Sequence, residues 1–144
     1  MQVSGILAGK GNDVATIGPD ASVAEAVEQL RSLGVGALVV STDGQTVDGI
    51  VSERDVVRRL AVDAGAALAL PISALMTTTV HTCAPDDAVE RLMVMMTDHR
   101  IRHVPVVVDG KLAGIVSIGD VLKQRLGELE RENQALYEYF TGTR

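Results

Sequence analysis

Apolar residues fall at helical spacing in two stretches of the chain: Val23, Ala26, Val27, Leu30 and Leu33, and then Val89, Leu92, Met93 and Met96. Each set lays one apolar stripe along an amphipathic helix that packs on a core. A short β-rich run precedes each helix, Val14 to Ile17 and Val80 to Cys83. Two more follow each, Ala37 to Ser41 with Val47 to Ser52, and Arg102 to Val108 with Leu112 to Ser117. Asp43-Gly44 and Asp109-Gly110 separate the paired runs, a hairpin signal that is tightest in the second pair. The helix starts are marked by Ser22-x-x-Glu25 and Asp87-x-x-Glu90, in which a cap acceptor and a carboxylate three residues on make a capping box. Second helices are predicted to open at Ser52 and Ser117. The order strand, helix, strand, strand, helix therefore occurs twice, and predicts an α/β (α+β) fold with helices on one face of a short sheet.

The two stretches are copies. Thr16, Pro19, Asp20 and Val23 recur as Thr82, Pro85, Asp86 and Val89 at an offset of 66, and Gly49-Ile50-Val51-Ser52-x-x-Asp55 returns as Gly114-Ile115-Val116-Ser117-x-x-Asp120 at 65. Two copies of one unit predict a pseudo-twofold object with two equivalent clefts. Copies of some sixty residues would be marginal alone, so a shared core is expected. The predicted organisation is an N-terminal segment over 1–13, repeats over 14–61 and 80–126, an Ala-rich linker over 62–79 that restarts at Pro71, and a C-terminal helical tail over 127–144.

Charge and composition remove several classes of function. A net charge of −6, with 13 basic residues scattered or paired among 19 acidic ones, is a poor match to nucleic-acid binding, which rests on neutralising phosphates. No apolar run approaches the roughly eighteen residues of a spanning helix, and no secretory signal opens the chain, so a cytoplasmic protein without a membrane partner is expected. Neither a nucleophile elbow nor a phosphate-cradling Gly-x-x-x-x-Gly-Lys segment occurs, and no enzymatic activity is predicted. The single Cys83 reads as a small buried hydrophobe. His81-x-Cys83 and the His99, His103 pair do not close a four-ligand set, so no metal site is assigned.

The repeated Gly-apolar-apolar-Ser-x-x-Asp segment carries the most chemistry. Its Ser and Asp form a helix start in their own right. A helix N-terminus also favours an anion, a Ser hydroxyl donates, and an ionised Asp accepts from the two hydroxyls of a vicinal diol such as ribose. Upstream of the second copy, Ile101-Arg102-His103-Val104-Pro105 brings cationic groups to the sheet edge, and Pro105 demotes its strand toward an edge or cleft wall. The first copy has Gly36 and Ala37 in place of Arg102 and His103.

These segments, in order and in duplicate from Val14 to Leu126, resemble a tandem pair of cystathionine-β-synthase (CBS) domains, in particular the small bacterial proteins made of one such pair. The resemblance implies two β-α-β-β-α repeats packed as a pseudo-twofold pair, whose clefts take AMP, ADP, ATP or S-adenosylmethionine as a regulatory ligand, with no cofactor required. It assigns Asp55 and Asp120 to ribose, Ser52 and Ser117 to ribose or phosphate, and Arg102 and His103 to phosphate. Adenine contacts are implied near Thr16, Val35, Gly36 and Ala37 in one site, and near Thr82 and Ile101 to Pro105 in the other. Because Gly36-Ala37 lacks charge, the second site is expected to prefer a phosphorylated ligand. The first is expected to be empty, weak, or suited to an uncharged or cationic adenosine derivative.

Leu122, Leu126, Leu129, Asn133, Leu136 and Phe140 alternate at spacings of 4 and 3, a heptad seam with a polar residue that can fix register. A homodimer through this helix is predicted. The function that follows is a sensor that acts on an unidentified protein target; the alternatives are a ligand-free dimerisation adaptor and, behind it, a zinc-binding protein.

Overall fold

The computed structural model describes residues 1 to 142. Its elements are α1 (Val3–Lys10), β1 (Thr16–Ile17), α2 (Val23–Leu33), β2 (Ala37–Val40), β3 (Gly49–Ser52), α3 (Glu53–Val62), α4 (Ala64–Ala67), a 3-10 turn (Ile72–Ala74), α5 (Val89–His99), β4 (His103–Val108), β5 (Lys111–Ser117) and α6 (Ile118–Thr141). In the first repeat β1 runs parallel to β2, with Thr16 beside Val39, and β2 pairs antiparallel with β3, with Ala37 beside Ser52. In the second, β4 and β5 pair antiparallel, with His103 beside Ser117 and Val108 beside Lys111.

The predicted strand from Val80 to Cys83 shrinks to one parallel bridge between Cys83 and Val106. Pro105 is the reason. In the first repeat the Val39 amide donates to the Ala15 carbonyl and the Ser41 amide to that of Ile17; in the second only Val107 to Cys83, at 2.8 Å, has a counterpart. Proline stands where Val39 stood and has no N–H to give. The hairpin at Asp109-Gly110 forms with φ of 52° and 77°, the two positive values that an I′ turn needs. The extra residue in the first copy opens a longer loop instead, in which the Asp43 carboxylate accepts from the Gln45 and Thr46 amides and the Thr46 hydroxyl.

The capping boxes at Ser22, Ser52 and Ser117 all form. The one expected at Asp87 does not. The cap residue of α5 is Ala88, without a side-chain bond, and Ala88 is the true counterpart of Ser22 at the offset of 66. Asp87 instead accepts from the Ala84 amide at 2.8 Å and pairs with Arg91 at 3.4 Å. The Val89 amide is satisfied from elsewhere, by the Met1 carbonyl at 2.9 Å.

That last bond belongs to an exchange of segments. The amides of Val3, Ser4 and Val89 bond the carbonyls of Asp87, Pro85 and Met1, just as those of Ile72, Ser73 and Val23 bond Ala21, Pro19 and Leu70. Val3, Ile6 and Leu7 are buried in the core of the second repeat, while Ile72, with Leu70, Leu75 and Met76 against it, completes the core of the first. Each repeat is thus finished by the segment that precedes the other. The single shared core expected from chain length is replaced by two, tied together by these crossings. Burying each such side chain is worth about 1.5–3 kcal/mol, so the N-terminal segment and the linker each contribute core residues to a repeat.

α6 continues without a break into the predicted tail, of which Thr143 and Arg144 lie outside the described residues. No helix among the described residues is long and apolar enough to cross a membrane.

A cleft between the two repeats

The two strand-to-helix corners, β3 into α3 and β5 into α6, place the duplicated Ser and Asp. Their glycines are demanded by packing. A Cβ on Gly49 would lie 2.9 Å from the Thr77 carbonyl, and one on Gly114 would lie 2.8 Å from the Leu7 side chain. Asp55 Oδ2 accepts from the Ser52 amide at 2.8 Å and the Ser52 hydroxyl at 3.1 Å. Asp120 Oδ2 accepts from the Ser117 amide at 2.9 Å and from Lys10 Nζ at 2.7 Å. Both carboxylates are therefore turned back on their own helix starts through Oδ2, and Oδ1 takes part in none of these bonds. The Glu53 and Ile118 amides donate to the Gly36 and Arg102 carbonyls, so the helix starts are less open than the sequence suggests.

A cavity of about 820 Å³ runs between the repeats. Of the residues expected in binding, Gly36, Ala37, Ser52, Asp55, Ile101, Arg102, His103 and Ser117 line it. Asp120, Thr16, Val35, Thr82 and Pro105 do not. Val35 faces a smaller cavity of about 470 Å³ with Val27, Leu30 and Val57; Thr82 is exposed and Pro105 is buried in β4; the Thr16 carbonyl accepts from the Gln29 amide group. Two separate clefts were expected. One continuous cleft holds Asp55 together with Arg102 and His103, the cations that the sequence placed with Asp120.

Gly36 explains this sharing. A Cβ there would lie 3.2 Å from His103 Cε1 and 2.8 Å from Glu53 Oε1. The missing charge at Gly36-Ala37 is the space into which the imidazole of the other repeat fits. Burial, then the Arg102 charge, pushes the His103 pKa down against the pull of Glu53 and Asp120.

Sequence reasoning missed three arginines. Arg54 and Arg58 on α3, and Arg100 at the end of α5, line the same cleft, as do His81 and His99, whose rings stack at 3.8 Å. Four of the chain's 13 basic residues and all three of its histidines thus face one cleft, against Glu53 and Asp55. In a chain of net charge −6 the four arginines give this cleft a local excess of positive charge over its two carboxylates. Arg54 Nη1 also reaches the Arg100 carbonyl at 3.4 Å, joining the repeats across the cleft. A sequence signal for Arg100 existed: it aligns with Gly34 at the offset of 66, and both adopt the left-handed conformation, with φ of 53° and 63°. Arginine there costs about 1 kcal/mol or more relative to glycine.

Among the described residues no three His, Cys, Asp or Glu side chains gather to hold a metal. Cys83 is buried, and burial, with Asp87 nearby, pushes its thiol up to about 12.

Comparison with known proteins agrees with this architecture. The CBS domain profile matches residues 11–62 and 72–127. The mitochondrial CBS domain-containing protein CBSX3 of Arabidopsis thaliana is 39% identical over 127 residues, 85% of this chain, which spans 62% of that protein's length. The crystal structure of a CBS-domain-containing protein from Agrobacterium tumefaciens superposes with a TM-score of 0.84 at 45% identity, covering 87% of this chain and 99% of that one. A CBS domain protein from Pyrobaculum aerophilum, complexed with AMP, superposes with a TM-score of 0.74 at 28% identity, covering 83% and 89%. Two profile matches in tandem fall on the two repeats that exchange their leading segments, and on these grounds the chain belongs to the CBS-domain family.

Proposed function

We propose that the chain is a non-enzymatic regulatory module that binds a phosphorylated adenosine ligand, AMP, ADP or ATP, in the cleft between its repeats. The observation that carries this reading is the cationic wall: Arg54, Arg58, Arg100 and Arg102, with three imidazoles that can hydrogen-bond beside them, around a carboxylate, Asp55, that presents a spare oxygen. Arginine forks match phosphate oxygens, and Asp55 matches the ribose diol. The volume lies within the 300–1,000 Å³ range of ligand pockets, and the Pyrobaculum protein was crystallised with AMP. S-adenosylmethionine, which carries a sulfonium charge, suits this wall less well than a phosphate does.

A ligand that touches both repeats favours the arrangement in which both faces meet it, and that difference in affinity is what a regulatory output to a protein target requires. We place this module in the cytoplasm. A second reading, a ligand-free homodimerisation adaptor, is favoured by the exposed leucines along α6. Titration calorimetry with AMP, ATP, adenosine and S-adenosylmethionine separates the two. The phosphorylated ligands are expected to bind, and Arg102→Ala to weaken them tenfold or more while leaving adenosine unchanged. Absence of binding by every one of them, in a folded dimer, would leave the adaptor.

A further inference from the structure

Lys10 ends α1, and its ammonium rests on the second repeat's carboxylate, 2.7 Å from Asp120 Oδ2 and 2.9 Å from the Ile115 carbonyl. The helix that delivers it is anchored by the buried Val3, Ile6 and Leu7, with Leu7 seated against Gly114. Among the described residues the first repeat has no such cation: Thr77 comes up to the corresponding strand and pairs with Ile50 through two backbone bonds, leaving Asp55 in the cleft wall. Asp120 Oδ2 already accepts an ammonium and a backbone amide, so a diol drawing on both carboxylate oxygens must compete with a charged donor, whereas the donors on Asp55 Oδ2 are a neutral amide and hydroxyl. Burial alone would raise the Asp120 carboxyl; Lys10 and the Ser117 amide together hold it below its usual range.

We propose that Lys10 is an internal competitor for the second sugar site, so that the chain takes one adenosine ligand, at Asp55, and a second binds at Asp120 only when Lys10 withdraws. This rests on the cleft being an adenosine-ligand site. Any event that neutralises or displaces the Lys10 ammonium would then change the stoichiometry and not merely the affinity.

The test is calorimetric titration with AMP of the full chain and of Lys10→Met, Asp55→Asn and the double variant. Lys10→Met keeps the apolar stem, and Lys10→Gln serves as a second variant should the first melt early. One AMP per chain is expected for the wild type, two for Lys10→Met, a tenfold or greater loss for Asp55→Asn, and recovery of one site in the double variant. A wild type that already binds two, or a Lys10→Met that still binds one with no recovery in the double variant, would overturn the competitor while leaving the adenosine reading standing. Failure of the folded wild type and all variants to bind AMP would remove both.

Discussion

His103 stands where the two repeats touch, its ring over Gly36 and within the fields of Arg102, Glu53, Lys10 and Asp120. Burial first, and Arg102 next, lower its pKa from the ordinary value of about 6.5. The unfolded chain therefore binds a proton at a pH where the folded chain does not. Stability is present in full above about pH 6.5 and falls as the pH drops from there toward the folded pKa. Urea melts at a series of pH values are expected to show this slope in the wild type and a shallower one in His103→Gln. Equal slopes would place the titration elsewhere. The residue scale was partly legible in sequence: Ser52, Asp55, Ser117 and Asp120 announce a helix cap and a diol acceptor at once, and the structure shows both carboxylates engaged as caps. Arg54 and Arg58 were not legible as site residues, since on an amphipathic helix they read as solvated charge until the facing repeat is in place.

At the scale of elements, α6 is the one most open to test. It runs from Ile118 to Thr141, yet Leu122, Leu126, Leu129, Leu136 and Phe140 are all exposed, and Val121 is its one fully buried residue. The Arg125–Glu128 pair at 2.9 Å and the Gln134–Glu138 bond hold its polar side within the helix, and the apolar seam is left exposed among the described residues. We propose that a second copy covers it. Light scattering at about ten micromolar is expected to give a dimer for the wild type and a monomer for Leu129→Glu/Leu136→Glu, whose cleft is unaltered; a wild-type monomer would end this proposal. The heptad spacing made α6 readable in advance. The exchanged segments were not, because Val3, Ile6 and Leu7 find their partners in the repeat that starts some eighty residues later. A pattern within ten residues says that a side chain will be buried, not against what. The shortened strand at Cys83 failed for a related reason: its β propensity was read locally, whereas its missing ladder bond lies in Pro105.

The whole molecule is two small cores locked by exchanged leading segments, with an arginine-lined cleft where the repeats face each other. Duplication in the sequence made the twofold plan legible, including the fold class and the family. Equal motifs suggested two equal clefts, and the largest difference from that reading is that one cavity is lined from both helix starts. In three dimensions the differences between the copies interlock: Gly36 makes room for His103, and Lys10 pairs with Asp120, whereas Asp55, among the described residues, accepts only from Ser52. We propose that this cleft receives a phosphorylated adenosine. A crystal structure of the chain grown with saturating AMP tests it most directly. The ribose hydroxyls are expected on Asp55 and the phosphate among Arg54, Arg100 and Arg102; an empty cleft, or AMP bound elsewhere on the molecule, would contradict the claim.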